Sequence, residues 1–176
     1  MQFKALFSPF RIGDLELKNR IVMPPMATNF AGEDGCVNER HIAYYLKRIK
    51  GGVGYITFEH TGVLRQGRAF PNMALIDSDQ HISHFKKLVD AIHQEGGKIV
   101  IQINHAGRQT TPSITGSSIV APSPIPCPIR QEMPKELSYE EIQEIVDAFG
   151  KAAWRVKEAG ADGVEIHMAH GSVSYT

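Results

Sequence analysis

Gly96-Gly97-Lys98-Ile99-Val100-Ile101-Gln102-Ile103-Asn104 sits near the middle of the chain, and Lys98–Ile103 is a near-continuous apolar run. A strand of that kind is buried on both faces, as in a parallel sheet. Before it, Ile82, Phe85, Leu88, Val89 and Ile92 fall on one helical stripe, with Ser78 or Asp77 as the cap and Gly96-Gly97 as the stop. Along the strand, Gln102 and Asn104 alternate onto the face opposite Ile101 and Ile103, at its C-terminal end.

The same cycle extends outward in both directions. Upstream, Gly54–Phe58 is β-rich, and Asn38 caps a helix with Ile42, Tyr45, Leu46 and Ile49 that stops at Gly51-Gly52. Ile21–Met23 is a short strand ended by Pro24-Pro25, and Leu6–Leu17 holds a small hairpin turning on Gly13-Asp14. Downstream, the Pro-rich stretch Thr111–Pro134 cannot be regular helix. Ser138-Tyr139-Glu140-Glu141 is a capping box. It opens a helix with Ile142, Ile145, Val146, Phe149, Ala153 and Val156 on one face, ending at Gly160 before a strand over Gly163–His167.

Four strands alternating with three helices imply right-handed βαβ units and an α/β fold with helices outside a parallel sheet. An open doubly wound sheet wants a glycine-rich turn after its first strand, where this chain has Pro24-Pro25-Met26. A (β/α)₈ barrel places its chemistry on the loops after the strands. Those loops are long or polar here: Ala27-Thr28-Asn29, His105-Ala106-Gly107-Arg108 and His167 to His170. The expectation is therefore the N-terminal half of a TIM barrel, about four βα units behind a hairpin, in one partial domain over residues 1–176 with a divergent end at 172–176. Pairing of two such chains through their open edges is the other way to satisfy four strands.

Composition narrows the function classes. The 176 residues are 42% hydrophobic and 22% charged, with 19 Lys+Arg against 19 Asp+Glu. A balanced charge gives no footprint for nucleic acid or for an anionic membrane surface. No apolar run approaches the roughly 18–20 residues of a membrane span, and Met1–Phe10 lacks a signal-peptide layout, so a cytoplasmic location is expected. Cys36 and Cys127 read as two free thiols, not as a disulfide framework or zinc site.

Side chains with chemistry collect at the strand ends. The amide of Gln102 can pair with the edge of a flat heteroaromatic ligand; for Asn104 the bland reading, bonding to neighbouring backbone, is preferred. His167 faces inward with Glu165, and imidazoles at His167 and His170 can grip a carbonyl or nitro oxygen. H-x-x-H without a third ligand does not make a metal site. Pro24–Asn29 is a stiff turn suited to a planar ring, Glu59-His60 reaches toward the mouth, and Arg108 is expected to pair with Glu165. No lysine stands at a predicted strand end to form a Schiff base, which discounts an aldolase-type barrel.

Asn19-Arg20-Ile21-Val22-Met23-Pro24-Pro25-Met26, Ile101-Gln102-Ile103-Asn104-His105-Ala106-Gly107-Arg108 and Ala159–Gly171 resemble, in order, the strand motifs of the old yellow enzyme family of FMN-dependent NADH:flavin oxidoreductases. Ser8–Gly13 and Val120-Ala121-Pro122-Ser123 match as well, and the branch resembled is that of 2,4-dienoyl-CoA and enoate reductases. The resemblance implies that Pro25, Met26, Ala27 and Thr28 line the flavin and that Gln102 bonds its pyrimidine edge. By the same resemblance, His167 and His170 bind the activating oxygen of a small alkene substrate. His60 falls near the flavin where the family has a small residue. NADH or NADPH would reduce FMN, which would reduce the alkene; an iron–sulfur cluster and FAD would belong to a longer form. Ser172 stands where the family's tyrosine acid is expected, and Tyr175 is out of register to replace it. The alternative is a non-catalytic half-barrel that self-associates and binds no flavin.

Overall fold

A computed structural model describes residues 3–173; Tyr175 lies outside them. Strands β1 (Phe10–Ile12) and β2 (Leu15–Leu17) form the hairpin, turning through Gly13 at φ +57°. Next come β3 (Val22–Met23), α1 (Glu39–Lys50), β4 (Tyr55–Gly62), α2 (Ile82–Gln94) and β5 (Ile99–Asn104). A one-turn helix α3 (Pro112–Thr115) and the short strands β6 (Val120–Ala121) and β7 (Lys135–Glu136) precede α4 (Tyr139–Glu158) and β8 (Gly163–Ile166). The main sheet is parallel in the order β3-β4-β5-β8, each later strand added at the same side, which is the sequential winding of a barrel.

Local chemistry accounts for the boundaries. The Asn38 side chain accepts from Arg40 N–H at 3.1 Å and caps α1. At α4, Ser138 Oγ accepts from Glu141 N–H, and Glu141 reaches back to Ser138 N–H at 2.9 Å. Helix α2 starts differently from expectation. A 3₁₀ turn over Asp79–His81 precedes it, the Ser78 side chain makes no capping bond, and Asp77 instead lies 3.0 Å from His81 Nε2. The Pro-rich stretch holds only the single turn of α3, with Pro112 in its first turn and Gly116 ending it at φ +73°.

The core lies between the sheet and the helix layer. Ile56 and Phe58 of β4 and Ile99, Ile101 and Ile103 of β5 meet Tyr45 and Ile49 of α1, Phe85, Leu88 and Ile92 of α2, and Ala148, Ala152 and Val156 of α4. The stripe on α4 is narrower than its sequence pattern suggests, because Ala148 and Ala152 face the sheet and Val146 is 56% exposed. Val146, with Ile142 and Phe149, instead borders an open apolar groove of about 410 Å³ shared with Ile166, Met168 and Val173. That groove runs beside β8, which among the described residues pairs with β5 alone.

One irregularity bears on the site. Phe58 pairs with Ile101 and Thr61 with Ile103, so β4 carries one residue more than β5 between them. Such a bulge re-aims side chains at a sheet's end. Glu59 turns toward α1, where its backbone N–H donates to Tyr45 Oη at 3.1 Å, while His60 turns toward the sheet's open face.

Candidate active site

The C-terminal ends of all four parallel strands open on one cleft of about 490 Å³. Pro25, Met26 and Ala27 border it from the loop after β3, His60 from β4, Gln102 from β5, and Glu165, His167 and His170 from β8 and its loop. Seven of the eight candidate flavin- and substrate-binding residues therefore meet there. Thr28 does not: its N–H donates to Glu59 Oε2 and its hydroxyl to Glu59 Oε1 at 2.6 Å, which commits both polar groups away from the cleft.

Glu59 is the post to which the first loop is tied. It is 4% exposed and receives, besides Thr28, the ring of His41, whose Nε2 lies 3.0 Å from Oε1. Asn38 N–H donates to His41 Nδ1 at 3.3 Å, which leaves the His41 proton on Nε2, facing the carboxylate. A buried carboxylate needs such partners. Nothing in the alternation of β4 announces this network, since it depends on the bulge.

Gln102 donates through Nε2 to Glu165 Oε1 at 2.6 Å, across the register pair that joins β5 to β8. The bond fixes the amide plane and leaves its carbonyl and second N–H for a ligand edge. Glu165 is thus taken by Gln102, and Arg108 does not pair with it: Arg108 Nη1 donates to Ile125 O at 3.0 Å. The expectation of an Arg108–Glu165 pair fails because the loop after β5 carries Arg108 beyond the sheet. Asn104 also departs from its reading. It is 3% exposed, but its Oδ1 has no partner and it borders a second cavity, of about 440 Å³, with Phe70, Gln109 and Ser172.

The imidazoles form a chain of rings. His60 stacks on Phe70 at 5.6 Å with a 17° tilt, meets His167 edge-on at 6.2 Å, and His167 stands 5.7 Å from His170. Burial, and then the neighbouring His167, hold the His60 pKa below the usual histidine value. Burial lowers His167 as well, with His170 adding to it. Both rings are therefore neutral at pH 7, able to donate through one nitrogen. His170 has φ +59°, a left-handed conformation uncommon for a residue with a Cβ. Gln109 Nε2 donates to the His170 carbonyl at 2.6 Å, and Cys127 Sγ donates to Gln109 Oε1 at 3.1 Å, so the turn is held from outside. Cys36 and Cys127 are both free thiols, and among the described residues no cluster of three or more His, Cys, Asp or Glu could hold a metal ion. No helix among them is long and apolar enough to cross a membrane.

A sequentially wound parallel sheet with its polar side chains gathered at the C-terminal rim has the layout of a (β/α)₈-barrel enzyme. Residues 5–173 match the model of the NADH:flavin oxidoreductase / NADH oxidase family. The chain is 51% identical over 171 residues to an NADH oxidase of Thermoanaerobacter brockii, covering 96% of this chain and 26% of that protein. It is 42% identical over 167 residues to an NADPH dehydrogenase of Listeria monocytogenes, covering 94% and 48%. An old yellow enzyme homologue from Zymomonas mobilis superposes with a TM-score of 0.86 at 32% identity, over 96% of this chain and 50% of that structure. The chain belongs to the NADH:flavin oxidoreductase / NADH oxidase family and spans between a quarter and half the length of these relatives.

Proposed function

We propose that this chain supplies one side of an FMN site and the oxygen-gripping imidazoles of an NAD(P)H-dependent reductase of activated alkenes. The observation that carries the reading is the convergence of Gln102, His60, His167 and His170 with the Pro25–Ala27 turn on a single cleft. The residues fit one edge of an isoalloxazine. The anchored amide of Gln102 can both donate to and accept from a pyrimidine edge, and the stiff turn offers a flat wall. The cleft lining contains no Lys or Arg, so the described residues there offer the ring a place and the phosphate none.

FMN, when bound, supplies hydride transfer between a nicotinamide and the β-carbon of an alkene. The chain's own part is to orient and polarise. Gln102 fixes the ring edge, and Glu165 fixes Gln102. N–H groups of His167 and His170 hold a carbonyl or nitro oxygen and draw electron density from the conjugated double bond. Ser172 is buried and its hydroxyl is too weak an acid to take over the proton donation expected of a tyrosine at that place.

Flavin titration followed by absorbance and fluorescence tests the reading. FMN and riboflavin are expected to bind weakly and within about threefold of each other, because no cation lines the cleft for the phosphate. Replacing Gln102 by Leu should weaken both by about tenfold, roughly one charge-neutral hydrogen-bonded edge. A flavin spectrum unchanged by the chain at millimolar concentration overturns the proposal. The second reading, a half-barrel that self-associates without flavin, draws support from the apolar groove beside the open edge of β8.

A further inference from the structure

His60 is the side chain in the cleft that the reading above leaves without a task. It occupies the place where the bulge in β4 turns a residue inward, and its ring lies nearly parallel to that of Phe70, with centroids 5.6 Å apart. Its Nε2 is sealed from solvent and has no hydrogen-bond partner. The neighbouring His167 has the complementary defect, because its Nδ1 is likewise sealed and unpartnered. Buried polar nitrogens are seldom left so, since each has given up water for nothing. The two rings lie edge-on with centroids 6.2 Å apart, and an imidazole N–H···N bond needs them roughly 1 Å closer. Both groups are held neutral by burial, so each has one donor and one acceptor nitrogen to share.

We propose that His60 is a positioning residue for His167: its Nε2–H donates to His167 Nδ1 through a small closing turn of the two rings. The bond fixes which nitrogen of His167 carries the proton. With Nδ1 accepting, the His167 proton resides on Nε2, the nitrogen left for a ligand in the cleft. His167 then presents a donor to a carbonyl or nitro oxygen and never an acceptor lone pair that would repel it. Phe70 stops the His60 ring from turning away, and the Gln109 bond to the His170 carbonyl holds the third ring's turn. No net proton transfer is involved. This role rests on the proposed oxygen-gripping function of His167, but the bond itself exists or not without flavin or alkene.

The test is nuclear magnetic resonance on the ¹⁵N-labelled full chain, with no flavin present. The expected result is a scalar ¹⁵N–¹⁵N coupling across the bond between His60 Nε2 and His167 Nδ1, with His167 as the Nε2–H form. Absence of that coupling, or a proton on His167 Nδ1, overturns the proposal. Two substitutions separate positioning from packing. H60F keeps the stack on Phe70 but lacks a donor, so the downfield shared proton should vanish and His167 should return to a mixture of both protonation forms. H60Q keeps an N–H near the Nε2 position and should restore the single form. If H60Q behaves as H60F does, His60 only fills space. Because these signals are read without flavin, their absence leaves the flavin titration to stand or fall separately.

Discussion

Glu59 shows how one buried carboxylate organises the rim of a cleft. It accepts from Thr28 N–H and Thr28 Oγ and stands 3.0 Å from His41 Nε2, and so pins the loop after β3 beside the Pro25–Ala27 turn. Replacing it by Ala strips the half-buried Thr28 donors of their acceptor and the buried His41 ring of its neighbouring carboxylate, which should cost about 3 kcal/mol of unfolding free energy. Urea unfolding monitored by circular dichroism would show it as a lower midpoint at unchanged slope. A loss within about 0.5 kcal/mol of zero would mean that water replaces the carboxylate. The inward side of Gln102 and Glu165 is legible from the sequence because β5 and β8 stay in strict register there, and His167 follows one place beyond β8. The partner of Glu165 is not legible, since Gln102 takes the place expected of Arg108. Glu59 and His60 were only half legible, since alternation cannot show where a strand takes an extra residue. Phe70 was not legible at all; it arrives from a loop whose path follows from the parallel bridge of Gly62 to Leu75.

Among the elements, the N-terminal ends of β5 and β8 are fastened by a single side chain. Asp162 accepts from His93 Nε2 at 2.8 Å, from Lys98 Nζ at 3.1 Å and from Ile99 N–H at 2.9 Å. Burial alone would raise its pKa, but the His93, Ile99 and Lys98 bonds together outweigh burial and lower it below 3.8. A carboxyl whose folded pKa is depressed contributes stability above its unfolded value, and that contribution is lost as pH falls through the folded pKa. Thermal melts should therefore drop more steeply below pH 4 for the parent chain than for Asp162→Asn; parallel curves would remove Asp162 from the acid response. At pH 7 the substitution should lower Tm by roughly 3–8 °C, since it weakens the bond to a buried backbone N–H. Helix ends were the most legible parts of the fold, because Asn38, Ser138 and Glu141 act within one turn of their own position. The start of α2 was not: Asp77 is drawn off to His81, and Ser78 is left outside the helix.

At the scale of the molecule, the rim and the flank differ in character. The rim carries the bonded polar side chains, whereas the flank beside β8 is apolar around Val146, with Ile166 at 55% and Met168 at 64% exposed and bordering both the cleft and the groove. Apolar surface of this kind beside an unpaired strand edge invites association. Sedimentation velocity should show reversible assembly as the chain is concentrated, and Val146→Lys should shift it toward monomer. A parent chain that stays monomeric at 100 μM and above would remove the groove as a contact. The parallel winding was readable from the order of elements alone, while the groove was hidden by a helix stripe that looked wholly internal. The offset in β4 also carries a lesson for engineering. Below Phe58 the strand is in step with β5, and above it the strand runs one place late. Excising His60 by a single-codon deletion would bring Thr61 into step without touching the Ile56 and Phe58 contacts beneath. The hydrophobic layer would keep its shape, and the mouth would trade an aromatic base for whatever stands next in line.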